Sequence, residues 1–170
     1  MKKYLTVLSS AAVSACSTGA EITQAPIEYV KTGSFNSKAY ASDTSFEIRT
    51  FTKSSGSNKE LTGVPCKFSG KGFQSHFSSP AYVMAPDFGT QTPIALLKCK
   101  YNAEEQAFTQ EPYNQTIASI KQRNQQATAN QGLIGALIGG IATGIQTSRR
   151  DPTKDVYAYR SKRITFEAKK

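Results

Sequence analysis

The fold is decided by residues 61–77, which read LTGVPCKFSGKGFQSHF. Residues 61–68 are predicted to form a strand that holds Cys66, and residues 73–77 are predicted to form the next strand. The glycines at 70 and 72 favour a turn between them, because glycine adopts turn conformations at little cost. The stretch therefore predicts two short strands joined by a tight turn.

Further strands with similar spacing are predicted on both sides of this stretch. Upstream, residues 46–49 alternate apolar and charged side chains, as a half-buried strand does. Downstream, residues 82–84 and 94–101 are predicted to be strands, and the second holds Cys99. We therefore expect a β domain over residues 39–105, in an α+β protein built on a small antiparallel β-sandwich or curled sheet.

The N-terminus carries a secretory signal. Met1-Lys2-Lys3 precedes an apolar stretch and then small residues that end in Val13-Ser14-Ala15-Cys16. These last four residues resemble the lipobox of bacterial lipoproteins. The resemblance implies a signal peptide over residues 1–15 and a diacylglycerol thioether on Cys16, usually with a further N-acyl chain, which together anchor firmly. The alternatives are an ordinary signal peptide cut near Ala15 and a buried N-terminal segment.

The residues that follow bear on location and on linkage to the domain. Inner-membrane lipoproteins of Gram-negative bacteria typically carry Asp after the lipidated cysteine, so Ser17 implies the outer membrane by analogy. We expect the anchored chain to face the periplasm. Residues 16–38 are polar and contain glycine and proline, which predicts a flexible tether with one short strand around residues 27–30.

The odd number of cysteines follows from this processing. Of the three cysteines, lipidation of Cys16 leaves Cys66 and Cys99 as an even pair. In an oxidising compartment such a pair is expected to form a disulfide, and two free thiols are the alternative.

The segment from Pro65 to Cys99 resembles a β domain found in many proteobacterial lipoproteins. In that family a cysteine opens one strand, a Gly-aromatic turn and a Thr/Ser-Pro step follow, and a second cysteine closes the unit. Gly72-Phe73 and Ser79-Pro80 match those two steps, although Ser79 stands where Thr is commoner. The resemblance implies no catalytic activity.

Residues 112–149 are predicted to form a helix that contains a glycine zipper. Its small residues recur every four positions and share one ridge, which consists of Gly132, Ala136, Gly140 and Gly144. A ridge without side chains lets another backbone approach closely. Three interpretations stay open: packing on the β domain of the same chain, self-association or contact with a partner helix, and membrane insertion. The apolar core over residues 132–145 would span only about 21 Å as a helix, against about 30 Å of hydrocarbon.

Positive charge is concentrated near the C-terminus. The chain has 21 Lys and Arg against 12 Asp and Glu, and residues 146–170 hold eight of the bases but three of the acids. The cations predicted to contact an anionic envelope surface are Arg149, Arg150, Arg160, Lys162 and Arg163. The alternative is a solvated, charged edge strand that resists aggregation, formed by a C-terminal strand over residues 153–168. In that strand a break near residues 160–163 must reset the alternation if Tyr157, Tyr159 and Ile164 all face inward.

Catalytic patterns are weak throughout the sequence. His76 is the single histidine, and Asp87 lies near it in sequence, but no nucleophile elbow surrounds any serine. No carboxylate pair or calcium-loop spacing is present either. We therefore expect no catalytic residue, no metal, no cofactor, no small-molecule substrate and no nucleic-acid partner.

The sequence thus predicts an outer-membrane-anchored lipoprotein, not an enzyme, with a structural or assembly role in the cell envelope. One alternative is a binding module for an anionic envelope component. Another is a subunit of a pore or secretion assembly that uses the glycine-zipper helix.

Overall fold

The structure is a computed structural model that describes residues 19–54, 57–128, 143–144 and 146–167. The predicted signal peptide, Cys16 and the ridge residues Gly132, Ala136 and Gly140 lie outside the described residues. Gly144 is the ridge residue within them, and it is helical and exposed.

Strands dominate the described residues, and one long helix follows most of them. The strands are β1 Val30–Lys31, β2 Ser42–Ser54, β3 Ser57–Leu61, β4 Val64–Gly70, β5 Phe73–Ser79, β6 Ala81–Asp87, β7 Ala95–Tyr101, β8 Glu104–Gln110, β9 Tyr113–Asn114, β10 Tyr157–Ala158 and β11 Lys162–Glu167. The helix α1 spans Gln115–Thr128, and short 3-10 turns occupy Gly89–Gln91 and Pro152–Lys154.

The long strand β2 organises the first sheet, which we call sheet A. Ile48 pairs with Ala81 of β6 on one edge and with Lys162 of β11 on the other. From Thr50 onward, the edge of β2 that pairs with β6 pairs with β3 instead. Strands β6 and β3 therefore pair with successive parts of the same edge of β2. The β11 strand runs parallel to β2, whereas β3 and β6 run antiparallel to it.

The second sheet, sheet B, has the strand order β1-β5-β4-β7-β8 and is antiparallel throughout. Its β4–β5 pair forms the two strands predicted from residues 61–77, and Gly70 pairs with Phe73 at the turn. Gly72 has φ +92°, and a Cβ there would lie 2.7 Å from Phe35 Cα. Glycine is thus required by both the backbone conformation and the close approach.

The two sheets pack face to face around aromatic side chains. Phe46 of sheet A meets Phe68 of sheet B with ring centroids 4.9 Å apart. The Tyr159 ring also contacts Phe68, with a centroid distance of 5.0 Å, and its hydroxyl donates to the Pro93 carbonyl at 2.5 Å. A residue from the C-terminal region therefore fills the centre of the core, and the α+β curled-sheet fold predicted from the sequence is confirmed.

The C-terminal strand belongs to this β domain. The predicted domain limits of 39–105 are too narrow, because β8 extends to Gln110 and β11 is an edge strand of sheet A. The predicted break in the alternation lies between β10 and β11, where Ser161 Oγ accepts a hydrogen bond from Glu47 N at 3.0 Å. Tyr159 and Ile164 are both buried as predicted, whereas Tyr157 is only half-buried.

The predicted flexible tether over residues 16–38 needs correction in its described part. Ile27 N donates to Tyr82 O and Ile27 O accepts from Met84 N, both at 2.8 Å, so Ile27 lies along β6. Strand β1 then pairs with β5 of sheet B. Residues 19–31, which we call the N-terminal strap, therefore join the free edges of the two sheets. Their polar composition reflects an exposed position, while their backbone is hydrogen-bonded to the domain.

Helix α1 begins directly after β9, the strand that pairs with β10. Asn114 caps it, because its Oδ1 accepts from Ile117 N at 2.9 Å. Near the far end of α1, Asn124 Nδ2 donates to Thr143 Oγ1 at 2.7 Å. Residues 143–144 and 146–149 are helical as predicted, but the helix predicted over 112–149 starts too early, because residues 113–114 form β9 and α1 begins at Gln115.

Candidate functional site

Three of the predicted surface cations are positioned by aromatic rings. The distances from the cationic group to the ring centroid are 4.2 Å for Arg160 over Tyr113, 4.6 Å for Lys162 over Phe108 and 4.4 Å for Arg163 over Phe51. Each such contact stabilises by about 0.5–1 kcal/mol at exposed sites. Lys162 and Arg163 are consecutive in β11, so their side chains lie on opposite faces of sheet A. The predicted cations therefore do not form one continuous patch.

Arg150, another of the predicted surface cations, forms an ion pair within the protein. Its Nε donates to both carboxylate oxygens of Asp155, at 2.9 and 3.0 Å, and Asn114 Nδ2 donates to the same carboxylate at 2.7 Å. The Asp155 side chain is only 3% exposed. The hydrogen bond from Arg150 holds the pKa of Asp155 below its ordinary value. The guanidinium of Arg150 thus joins the C-terminal region to the helix cap, while Arg149 is exposed.

We expect Asp155→Asn to lower stability at neutral pH and to lose this effect in acid. Because the folded pKa of Asp155 lies below 3.8, its ion pair contributes stability above that pH. This contribution disappears as the pH falls through the folded pKa. The melting temperatures of the variant and the natural protein should therefore converge below pH 3.8, and a constant difference across the range would contradict the assignment.

The N-terminal strap starts at an ion pair on the outer face of sheet A. Arg49 Nη1 donates to Glu60 Oε1 at 2.7 Å and to Ala20 O at 2.8 Å. Ala20 N in turn donates to Glu60 Oε2 at 2.5 Å. Arg49 also pairs with Glu47. Both backbone groups of Ala20 are thus bound to one half-buried ion pair.

An open cavity of about 390 Å³ lies beside this ion pair. Its lining consists of Gly19, Glu47, Arg49, Ser161, Lys162 and Arg163. Two of the predicted surface cations, Lys162 and Arg163, therefore lie beside the point where the strap begins. We call this lining the exit groove.

A second basic feature, which the sequence analysis missed, lies on the outer face of sheet B. Lys67 of β4 is directly opposite His76 of β5 on one side and Lys98 of β7 on the other. Like charges in directly opposite positions are destabilising. Lys98 Nζ forms an exposed ion pair with Glu105 at 3.3 Å. The signal that could have revealed this row is the cysteine pair, since aligning Cys66 with Cys99 also aligns Lys67 with Lys98.

A cluster of two tyrosines and one aspartate holds the C-terminal end of the strap against β2. The hydroxyls of Tyr29 and Tyr40 donate to the two oxygens of the Asp43 carboxylate, at 2.7 and 2.9 Å. Burial and the hydrogen bond to Asp43 raise the pKa of Tyr29, and the separate hydrogen bond that Tyr40 donates to Asp43 raises the pKa of Tyr40. Both hydroxyls therefore stay protonated and remain donors. A cavity of about 490 Å³ adjoins the cluster, with Lys31 and Met84 in its lining.

The residues that carried the weak catalytic pattern are not brought together. His76 is exposed on the outer face of sheet B. Asp87 is buried and accepts hydrogen bonds from Gly89 N at 2.7 Å and from Thr92 Oγ1 at 3.3 Å. Asp87 thereby orders the loop after β6.

Two further observations concern metals and membranes. Within residues 19–54, 57–128, 143–144 and 146–167, no group of three or more His, Cys, Asp or Glu side chains is arranged to hold a metal ion. Among these same residues, no helix combines the length and the apolar character needed to cross a bilayer.

The predicted disulfide between Cys66 and Cys99 is confirmed. The two cysteines are directly opposite in β4 and β7, and both are buried in the core between the sheets. Comparison with known proteins gives no match to a family model, a curated protein or a solved structure. The case for a function therefore depends on the residues and geometry of this chain.

Proposed function

We propose that this protein is a lipoprotein, anchored through Cys16 in the periplasm-facing leaflet of the outer membrane, with a structural or assembly role in the cell envelope. The observation that carries the proposal is the buried Cys66–Cys99 disulfide. Disulfides of this kind form and persist in oxidising compartments and are rare in the cytoplasm. The signal at residues 1–15 provides the export route, and Ser17 favours the outer membrane.

The described geometry supports a non-catalytic role. Three sets of charged and hydroxyl groups are bound to one another or to the backbone, and each set holds separate segments of the chain together. The Arg49–Glu60 pair binds Ala20, Asp43 binds the two tyrosines, and Asp155 binds Arg150. These interactions suit a rigid module that presents surfaces to other components.

A second function, binding of an anionic envelope component, is favoured by one specific observation. The row His76, Lys67 and Lys98 places basic groups side by side on three neighbouring strands. An anionic partner would relieve the repulsion between the ammonium groups of Lys67 and Lys98. The alternative of a pore or secretion subunit depends on the glycine ridge, most of which lies outside the described residues.

We expect Cys16→Ser to abolish lipidation and release the protein from membranes. The natural protein should incorporate labelled palmitate, have a mature mass that begins at Cys16 with added acyl chains, and sediment with the outer membrane. The variant should incorporate no label and leave the outer-membrane fraction. Ser17→Asp is the matched control, since it keeps the lipid and should move the protein to the inner membrane. Unchanged mass, labelling and fractionation in the Cys16 variant would contradict the proposal.

A further inference from the structure

The point where the chain leaves the domain is fixed. Ala20 is hydrogen-bonded through both its N–H and its carbonyl to the Arg49–Glu60 ion pair on the outer face of sheet A. Gly19 packs closely against the same ion pair, since a Cβ at this position would be 2.5 Å from Arg49 Nη1. From residue 19 onward, the strap is therefore part of the domain.

The chain between this point and the anchor is short. Three Cα–Cα steps separate Gly19 from Cys16, so the two Cα atoms are at most about 11 Å apart. A flexible tether over residues 16–38 would instead give a root-mean-square separation of about 25 Å between its ends. A link of three steps is too short to let the domain turn an arbitrary face toward the membrane.

We propose that the outer face of sheet A lies against the phospholipid headgroups of the leaflet that holds the Cys16 lipid. This inference rests on the proposed function, because it requires lipid on Cys16. The anchor enters the membrane within about 11 Å of the exit groove, so that groove lies at the headgroup level. The outer face of sheet B, with its row of Lys67, His76 and Lys98, then points away from that leaflet.

The charges beside the exit groove fit this orientation. Glu47 and Glu60 are both paired with Arg49. Arg163 lies on the outer face of sheet A and is held over the Phe51 ring rather than by an acid, so its guanidinium can contact lipid phosphates. Charge alone does not select the face, since sheet B also carries a basic row. The position of the exit point selects it.

The test compares two matched positions on opposite faces of the natural lipidated protein. Ser45 is exposed on the outer face of sheet A, and Thr109 is exposed on the outer face of sheet B. Ser45→Cys and Thr109→Cys are each labelled with an environment-insensitive fluorophore, purified with their lipid and reconstituted into vesicles of phosphatidylethanolamine and phosphatidylglycerol that contain a headgroup-attached nitroxide quencher. We expect at least about threefold stronger quenching at position 45, because the sheets of a sandwich are about 10 Å apart and contact quenching acts over a few ångströms.

A second pair of labelled positions controls for the case in which one of the first two substitutions disturbs folding. Lys53→Cys and Lys100→Cys are exposed on the outer faces of sheets A and B, respectively, and should repeat the difference. Equal quenching on both faces, or stronger quenching on sheet B, would overturn the proposed orientation while the protein still carries its acyl chains and sediments with vesicles. A protein whose mass lacks acyl chains would overturn the proposed function, and this orientation with it.

Discussion

Replacing Phe68 by alanine should lower the free energy of unfolding by about 3–5 kcal/mol, because it removes the aromatic ring at the centre of the core and leaves a cavity. The Phe68 side chain is completely buried and contacts the rings of Phe46, Phe73 and Tyr159. Urea unfolding should show a lower midpoint with an unchanged slope. The ring joins both sheets and the C-terminal segment, so its loss affects every layer of the domain.

The matched control for this variant is Leu96→Ala, on the outer face of the same sheet. Leu96 is 37% exposed, and in sheet B it lies beside Ser69, the residue that follows Phe68. Its truncation should cost less than about 1 kcal/mol, since surface substitutions have small effects. A Phe68→Ala variant no less stable than the Leu96→Ala variant would show that the two sheets do not share this core.

Removing the disulfide with the double substitution Cys66→Ala, Cys99→Ala should destabilise the domain by about 3–4 kcal/mol. The disulfide closes a loop with a sequence separation of 33, and on the chain-entropy model a loop of this length restricts the unfolded state by that amount. Urea unfolding of the oxidised natural protein and of the variant measures the difference directly.

Treatment with a reductant is the control for the predicted effect of removing the disulfide. Complete reduction of the natural protein should lower its unfolding midpoint toward that of the double variant, whereas the variant itself should not respond. If reduction changed neither protein, the disulfide would have no part in stability, and a free-thiol state would be equally compatible with folding.

The parts of the fold that the sequence predicts well are those with local signals. Residues 61–77 carry a glycine turn between two apolar stretches, and the strands β4 and β5 form there. The parts that it predicts poorly depend on distant partners. Strand β8 reads EEQAFTQ, and this polar composition conceals an inner face on which Gln106 Nε2 donates to Thr165 O. No local pattern identifies a hydrogen bond to a residue 59 positions away.

The candidate site residues also divide into those with local signals and those with distant partners. The cysteine pair was predictable, because its chemistry depends on compartment and count. The Arg150–Asp155 ion pair was not, since the buried Asp155 carboxylate is also held by Asn114, which lies 41 residues earlier in the sequence. The fixed strap was also missed, because its attachment at Ala20 depends on an ion pair between two strands.

The parallel pairing of β11 with β2 delays the completion of sheet A during synthesis. Glu47 in β2 and Ser161 beside β11 are hydrogen-bonded across 114 residues of sequence. A ribosome releases the N-terminal part first, so sheet A lacks β11 until residues 162–167 have been synthesised. Such non-local pairing also slows folding. For a protein that is exported as we propose, this delay favours completion of sheet A after translocation rather than before it.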